Sequence, residues 1–354
     1  MWHRLSSSSQ AASQGAASGE QQRQRATRVV AELAGLREAL PCHLESLVAV
    51  RVDAGCADMM RACVLGADGT PYAGGAFIFD ILLPAAFPAV PPRVKFLTTG
   101  GGGWRANPNL YADGTVCLSL IGTWAGPGWE PARSTLLQLL VSLQGLVLNR
   151  EVRIYSAPPG PKQRSQKSCA THAMTRFRAA QPYYNEPGCV TASIGKTMRT
   201  AGMLCLLNQG NQHHACLCLR RYEGSRGTPA GAAASKEYTH GVRAGTMSHA
   251  VAAPLRELFG GAPPGAPASP AAPFEALLRE HFSRKAATLR ATAAAWEAEA
   301  AAHAASPGAK AVPAAAAAVR AALDRVPQQA AARQREEALP PPTPSKASAA
   351  SKRS

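Results

Sequence analysis

Four short runs rich in β-branched and aromatic residues crowd into the stretch 47–97: Leu47–Val52, Met59–Leu65, Phe77–Leu83 and Val94–Leu97. Turn-forming residues separate them. Gly66-Ala-Asp68-Gly69 follows the second run, and Pro84, Pro88, Pro91 and Pro92 follow the third. Runs this short and this close, bounded by Gly and Pro, predict an antiparallel meander. In the third run Phe77, Phe79, Ile81 and Leu83 alternate with Ile78, Asp80 and Leu82, so one face should be buried harder than the other.

Helical periods flank the meander. Val29, Leu33, Leu36 and Leu40 recur at three- and four-residue steps from about Ala26, and Pro41 stops the pattern. Ser134 is placed to cap a helix running to about Leu148. Leu136, Leu137, Leu139, Leu140, Val141, Leu143, Leu146, Val147 and Leu148 make it apolar nearly all round, hence central and buried. A polar helical pattern resumes after Tyr222, and Phe274, Leu277, Leu278, Phe282 and Leu289 mark a further helix. The fold class is therefore α+β. Residues 1–25 read as a disordered tail, 26–258 as the main domain, 259–304 as a helical extension, and 305–354 as a disordered Ala/Pro/Lys-rich tail.

Composition narrows the function. The 354 residues carry 38 Lys+Arg against 22 Asp+Glu, a net +16. The excess is misplaced for nucleic-acid recognition, which concentrates basic side chains on a folded face. Residues 150–180 hold seven basic residues and one acidic, and 189–221 hold four and none, whereas the segments with core-forming patterns sum to −1. Specific nucleic-acid binding is not expected. No run of 18 apolar residues exists and the N-terminus has no signal-peptide core, so no membrane partner is expected. Nine cysteines, an odd number without regular spacing, point to a reducing compartment, the cytoplasm or the nucleus.

One stretch carries chemistry. Asn107-Pro108-Asn109 lies eight residues before Cys117, with Asp113-Gly114 turning the chain between them. With Pro71-Tyr72-x-Gly-Gly75-x-Phe77-x-Phe79-Asp80, Phe87-Pro88-x-x-Pro91-Pro92-x-Val94-x-Phe96 and Asn107-Pro-Asn109-Leu-Tyr111-x-Asp-Gly114-x-Val-Cys117-Leu-Ser119-Leu, the chain closely resembles the ubiquitin-conjugating enzymes. Trp124, Trp129-x-Pro131, Ser134-x-Leu-Leu-Gln138 and Gln181–Gly188 continue the match in the family's order. Asn107 where most members have His, the Gly-Thr-Trp of 122–124 and the extension beyond Tyr222 resemble the large hybrid conjugating enzyme–ligases and the plant phosphate-homeostasis conjugating enzymes.

The resemblance implies a ubiquitin-conjugating-enzyme fold in which Cys117 takes ubiquitin from the activating enzyme as a thioester and passes it to a substrate lysine. A thiolate is the competent nucleophile for that step. That role calls for a sulfur open to solvent beside an amide-bearing neighbour. Asn109 supplies an amide donor of the type that steadies a developing oxyanion or orders the loop that does so. Asn107, Pro108, Tyr111 and Ser119 would support the active-site loop, with a structural turn role for Asn107. Pro131 and Ala132 match a ligase-contact loop, whereas Ala89 stands where ligase-dependent members often carry an aromatic. The implied partners are ubiquitin, its activating enzyme, a ubiquitin ligase and protein substrates with acceptor lysines. No bound cofactor is implied, because ATP is used by the activating enzyme.

Competing readings remain in view. A lone cysteine is usually a buried structural thiol. A cysteine protease would need a histidine base, and His43, His240, His249 and His281 sit in no recognisable motif. A non-catalytic scaffold that holds ubiquitin or a ligase would share the fold, though such variants usually lose the Cys that this chain keeps. Residues 150–180 and 189–221 interrupt the family pattern at Asn149 and Gly188 and are aperiodic. Their composition resembles translated intron, and the rival is a genuine insertion. Cys205, His213, His214, Cys216 and Cys218 lack a paired C-x-x-C knuckle, so no metal site is expected there.

Overall fold

The strand runs form as one sheet. In the computed structural model, which describes residues 19–43, 45–124, 126–149, 229–260 and 269–326, β1 (Val48–Val52), β2 (Met59–Leu65), β3 (Ala76–Leu82) and β4 (Arg93–Phe96) pair in sequence order, antiparallel throughout. This is the expected antiparallel meander of an α+β fold. The predicted interruptions, and Gln181–Gly188 between them, lie outside the described residues.

Register sorts the side chains into two faces, because successive residues of a strand point oppositely. Val48, Val64 and Phe77 align across the sheet, as do Val50, Ala62, Phe79 and Phe96. This face packs on helix α1 (Gly19–Ala39) and helix α2 (Leu136–Ser142, continuing as a π turn Leu143–Val147), through Val29, Leu36, Leu136, Leu139, Leu140 and Leu143. The α1 stripe is therefore as expected, but the helix starts at Gly19 rather than near Ala26. Glu20 in its first turn accepts hydrogen bonds from Arg23 and Gln24 and offsets the positive end of the helix dipole.

Helix α2 is capped by Thr135, not by Ser134. Thr135 Oγ1 accepts from the Gln138 backbone N–H at 3.1 Å, and Gln138 Oε1 accepts from the Thr135 backbone N–H at 3.1 Å, a capping box. Ser134 instead braces the preceding loop by accepting from the Glu130 N–H. Buried Glu32 of α1 accepts from the Leu136 N–H at 2.8 Å and pairs with Arg28, which donates to the carbonyls of Pro131 and Ser134. A carboxylate thus meets the positive end of α2. The helix is not covered all round: Leu146 remains 47% exposed.

The opposite sheet face is buried as well. Ala49, Cys63, Leu65, Ala76 and Ile78 join a second core with a C-terminal helical layer. That layer comprises α3 (Pro229–Gly245), a π segment (Thr246–Ala252), α4 (Ala253–Gly260), α5 (Glu275–Ala301), α6 (Pro307–Lys310) and α7 (Val312–Leu323). On β3 both alternating sets are consequently buried. The charges on this face are paired: Arg61 grips Asp80 with two donors at 2.6 and 3.0 Å, and also donates to the Pro270 carbonyl. Helices α4 and α5 share this one core, so it runs across the expected boundary at residue 258.

Residues 307–323, expected to lie in a disordered tail, instead form α6 and α7; residues 327–354 of that expected tail lie outside the described residues. Val312, Ala315, Ala316, Val319, Ala322 and Leu323 are buried at helical spacing. Alanine has the highest helix propensity and lets backbones approach closely, so a stripe with little apolar bulk still packs. At Gly308 an added Cβ would collide with the Glu237 carbonyl of α3. Among the described residues no helix is long and apolar enough to cross a membrane.

Candidate active site

The site is the irregular segment between β4 and α2, and its order comes from side chains that replace missing secondary structure. Asn107 is 5% exposed and its side chain makes three hydrogen bonds. Its Nδ2 donates to Tyr72 Oη at 2.7 Å and to the Val147 carbonyl at 2.9 Å, and its Oδ1 accepts from the Asn109 N–H at 2.9 Å. Tyr72 Oη in turn donates to the Ala106 carbonyl at 3.2 Å. The Val147 carbonyl stands at the end of the helix, where no following turn supplies a donor. Asn107 thus ties the loop to the end of α2.

Asn109 and Cys117 lock each other. The Cys117 N–H donates to the Asn109 carbonyl at 2.8 Å, and Asn109 Nδ2 donates to the Cys117 carbonyl at 2.7 Å. Thr123 closes the other side: its Oγ1 accepts from the Leu118 N–H and donates to the Val116 carbonyl, one residue on each side of Cys117. Ser119 opens a short 3₁₀ turn, Ser119–Ile121, and its carbonyl accepts from Gly122, which sits at φ 72°. A residue with a Cβ is strained there.

The Cys117 side chain is less open than its expected role called for, with 8% of the residue exposed. Its neighbours are polar, however. Burial pushes its thiol up from the ordinary value; the nearby Tyr111 phenol and the Arg105 charge pull it down, and Asp113 pushes it up. Tyr111 is likewise pushed up, first by burial and then by Cys117. Arg105 lies over the Tyr111 ring, its Cζ 4.1 Å from the centroid, and Nη2 donates to the Pro108 carbonyl at 2.7 Å. No histidine acts on the sulfur among the described residues: His240 and His281 are buried in the helical layer, and His249 stacks on Trp104.

The structure therefore brings Asn107, Pro108, Asn109, Tyr111 and Cys117 together, with Ser119 at the start of the adjoining turn. Pro131 and Ala132 stand apart and exposed on the loop before α2. That loop is tied to the proline-rich one: Trp129 Nε1 donates to the Pro88 carbonyl at 2.7 Å, and its ring lies 5.7 Å from Phe87. Ala89 and Val90 are exposed beside it. Arg105 and Thr123 were missed by the sequence reading. The only signal was for Thr123, inside the Gly-Thr-Trp match. Among the described residues no group of three or more His, Cys, Asp or Glu could hold a metal ion.

Comparison with known proteins agrees with this geometry. Residues 28–167 match the family model described as ubiquitin-conjugating enzyme. The mouse (Mus musculus) "Dual E2 ubiquitin-conjugating enzyme/E3 ubiquitin-protein ligase BIRC6" is 32% identical over 277 residues, 77% of this chain but 4% of that protein. "Probable ubiquitin-conjugating enzyme protein 17" of Caenorhabditis elegans is 46% identical over 132 residues, 36% of this chain and 18% of that protein. "Probable ubiquitin-conjugating enzyme E2 23" of Arabidopsis thaliana is 56% identical over 95 residues, 26% of this chain and 8% of that protein. The chain thus spans a small part of these relatives' own length. It matches the ubiquitin-conjugating enzyme family over residues 28–167, with BIRC6-like and plant proteins among its relatives.

Proposed function

We propose that this chain carries ubiquitin on Cys117 and transfers it to lysine side chains of substrate proteins. The Cys117 thiolate attacks the carbonyl of the thioester that joins ubiquitin to the activating enzyme. A new S–C bond forms and the activating enzyme's thiolate leaves. A lysine amine then attacks the Cys117 thioester, loses a proton and forms the isopeptide, and the Cys117 thiolate is released. ATP is spent upstream, by the activating enzyme.

The observation that carries this reading is the setting of Cys117. Its backbone is held on both sides by Asn109 and Thr123, and Tyr111 and Arg105 pull its thiol down against the upward push of burial. A structural thiol needs neither. Cys63 is the internal contrast: it is fully buried between sheet and helices, and burial alone pushes its thiol up to about 12. Asn109 spends its amide on the Cys117 carbonyl, so it orders the loop, and contact with an oxyanion requires that bond to exchange. Exposed Pro131 and Ala132 are the ligase-contact candidates, and the cytoplasm or nucleus is the compartment where such a thiol stays reduced.

The test is charging. The protein is incubated with activating enzyme, ATP and ubiquitin, and a thiol-reducible adduct is expected, lost in Cys117→Ala and turned into a reductant-stable ester in Cys117→Ser. An adduct that persists in Cys117→Ala, or no adduct from a protein whose fold is intact by circular dichroism, refutes the assignment.

A further inference from the structure

The segment that carries Asn107 and Asn109 begins at Trp104, and Trp104 is held by elements far from it in sequence. The residue is 8% exposed and shares the first core with Phe77, Val242 and Ala250. Its ring lies 6.4 Å from that of Phe77 on β3 and 5.4 Å from that of His249 in the π segment. Its pyrrole edge rests on Gly245, the last residue of α3: a Cβ there would run into Nε1, Cε2 and Cδ1. His249 in turn presses on Gly100, whose added Cβ would lie 2.6–2.8 Å from the imidazole. The Trp104 N–H closes that turn by donating to the Thr99 carbonyl at 2.9 Å. Two details show that the seat is shaped for the ring. Gly245 has ordinary helical angles, φ −66° and ψ −39°, where alanine is the better helix former, so the indole is what calls for glycine. Trp104 Nε1 is buried with no hydrogen-bond partner among the described residues, so hydrogen bonding does not explain where the ring sits.

We propose that Trp104 is a positioning residue for Cys117: seated on Gly245 and His249, it anchors the near end of the loop whose far end Asn109 locks to the cysteine. The C-terminal helical layer thereby sets how the sulfur is presented. The proposal rests on the thioester reading of Cys117, but its first readout does not. Between anchor and cysteine the loop is tied step by step. The Ala106 carbonyl accepts from Tyr72, Asn107 reaches the Val147 carbonyl, and Asn109 exchanges two bonds with Cys117. Removing the ring releases one end of this chain of contacts, and the loop can then open locally while the cores stay folded. Such an opening bares a sulfur whose residue is now 8% exposed.

The experiment compares iodoacetamide alkylation of three cysteines in the full chain, resolved by peptide mass spectrometry. Cys42 is exposed and reports the reagent; Cys63, fully buried between sheet and helices, reports loosening of the layer or of the whole fold; Cys117 reports the loop. Relative to Cys42, Trp104→Ala should raise the Cys117 rate by about 3–10-fold while Cys63 stays protected. Gly245→Ala should act the same way although alanine favours the helix, because the methyl displaces the indole. The two changes together should not multiply, since the methyl's nearest neighbours are all atoms of that ring. In Gly245→Ala protein, adding Trp104→Phe, which lacks the struck pyrrole edge, should bring the rate back toward wild type. A Cys117 rate that fails to rise in either single variant, effects that multiply in full, or Cys63 rising in step with Cys117 overturns the anchor. If Trp104→Ala does not fold, Gly245→Ala decides by the same criteria, with relief by Trp104→Phe in place of the double variant. Charging is scored separately, and the loosened variants should charge more slowly while alkylating faster, because transfer needs an aligned sulfur and a small reagent does not. Variants that alkylate faster but charge at the wild-type rate refute the positioning role. Alkylation as described in a protein that never charges refutes the ubiquitin reading and leaves the anchor standing.

Discussion

Replacing Asn107 by aspartate is the sharpest perturbation of the loop that holds Cys117, because the two side chains have the same shape. The change leaves Oδ1 free to accept from the Asn109 N–H but puts an oxygen where Nδ2 donated to Tyr72 Oη and to the Val147 carbonyl. Tyr72 can turn its proton toward the new oxygen, but then the Ala106 carbonyl loses its donor. The Val147 carbonyl is left facing another acceptor inside a site that is 5% exposed. An unpaired buried acceptor costs about 1–3 kcal/mol, and a buried carboxyl adds desolvation to that. A total near 3–4 kcal/mol lowers the melting temperature of a domain this size by roughly 6–16 °C. The pH dependence has a fixed sign. The aspartate carboxyl is buried with no cation on its oxygens, Arg105 reaching only the backbone carbonyl of the same residue, so its folded-state pKa lies above its unfolded value. Protonation restores a donor, so the penalty is small at low pH and grows as pH rises through the folded pKa. Differential scanning calorimetry of wild-type and Asn107→Asp protein between pH 4.5 and 8 measures the gap. A gap that stays constant with pH, or a variant as stable as wild type at pH 8, refutes the assignment of Nδ2 as the donor to Val147.

Three other outcomes are expected. Arg61→Met strands Asp80 on the buried sheet face and should destabilise by about 3–5 kcal/mol in urea unfolding, whereas the joint change to Arg61→Met with Asp80→Leu should recover most of that loss. Gly308→Ala drives a methyl into the Glu237 carbonyl and should cost about 1–3 kcal/mol of stability, read as a lower thermal midpoint, while leaving Cys117 alkylation unchanged. Cys63 is held neutral with its thiol pushed up to about 12, while an unfolded cysteine ionises near about 8.5. Its contribution is thus fully present below about pH 8.5 and is lost as pH rises toward 12, and Cys63→Ala should flatten that alkaline decline in stability.

The meander and the reactive loop were legible because each announces itself locally. Period-two alternation broken by Pro and Gly marks strands wherever they occur, and the strand bounds moved by about one residue. What stayed hidden depends on partners far along the chain. The second sheet face reads as ordinary alternation in β3, and only α3–α7 explain why Ile78, Asp80 and Cys63 are buried too. Those helices escaped notice at their C-terminal end because Ala315, Ala316 and Ala322 have little apolar surface each. They act by permitting close approach, which hydropathy does not register.

The same distinction applies inside the site. Cys117 and Asn109 are residue types at a fixed spacing, so motif reasoning finds them. Arg105 lies outside that motif, and its contact with Tyr111 exists only because the loop folds back to lay residue 105 over residue 111. Thr123 likewise matters through the two hydrogen bonds that its hydroxyl makes to the backbone on either side of Cys117. Chemistry in this chain is thus written in residue types, whereas the geometry that makes it usable is written in loop closure. Substitution of Thr123 should consequently loosen the backbone on both sides of Cys117 while leaving the sulfur itself in place.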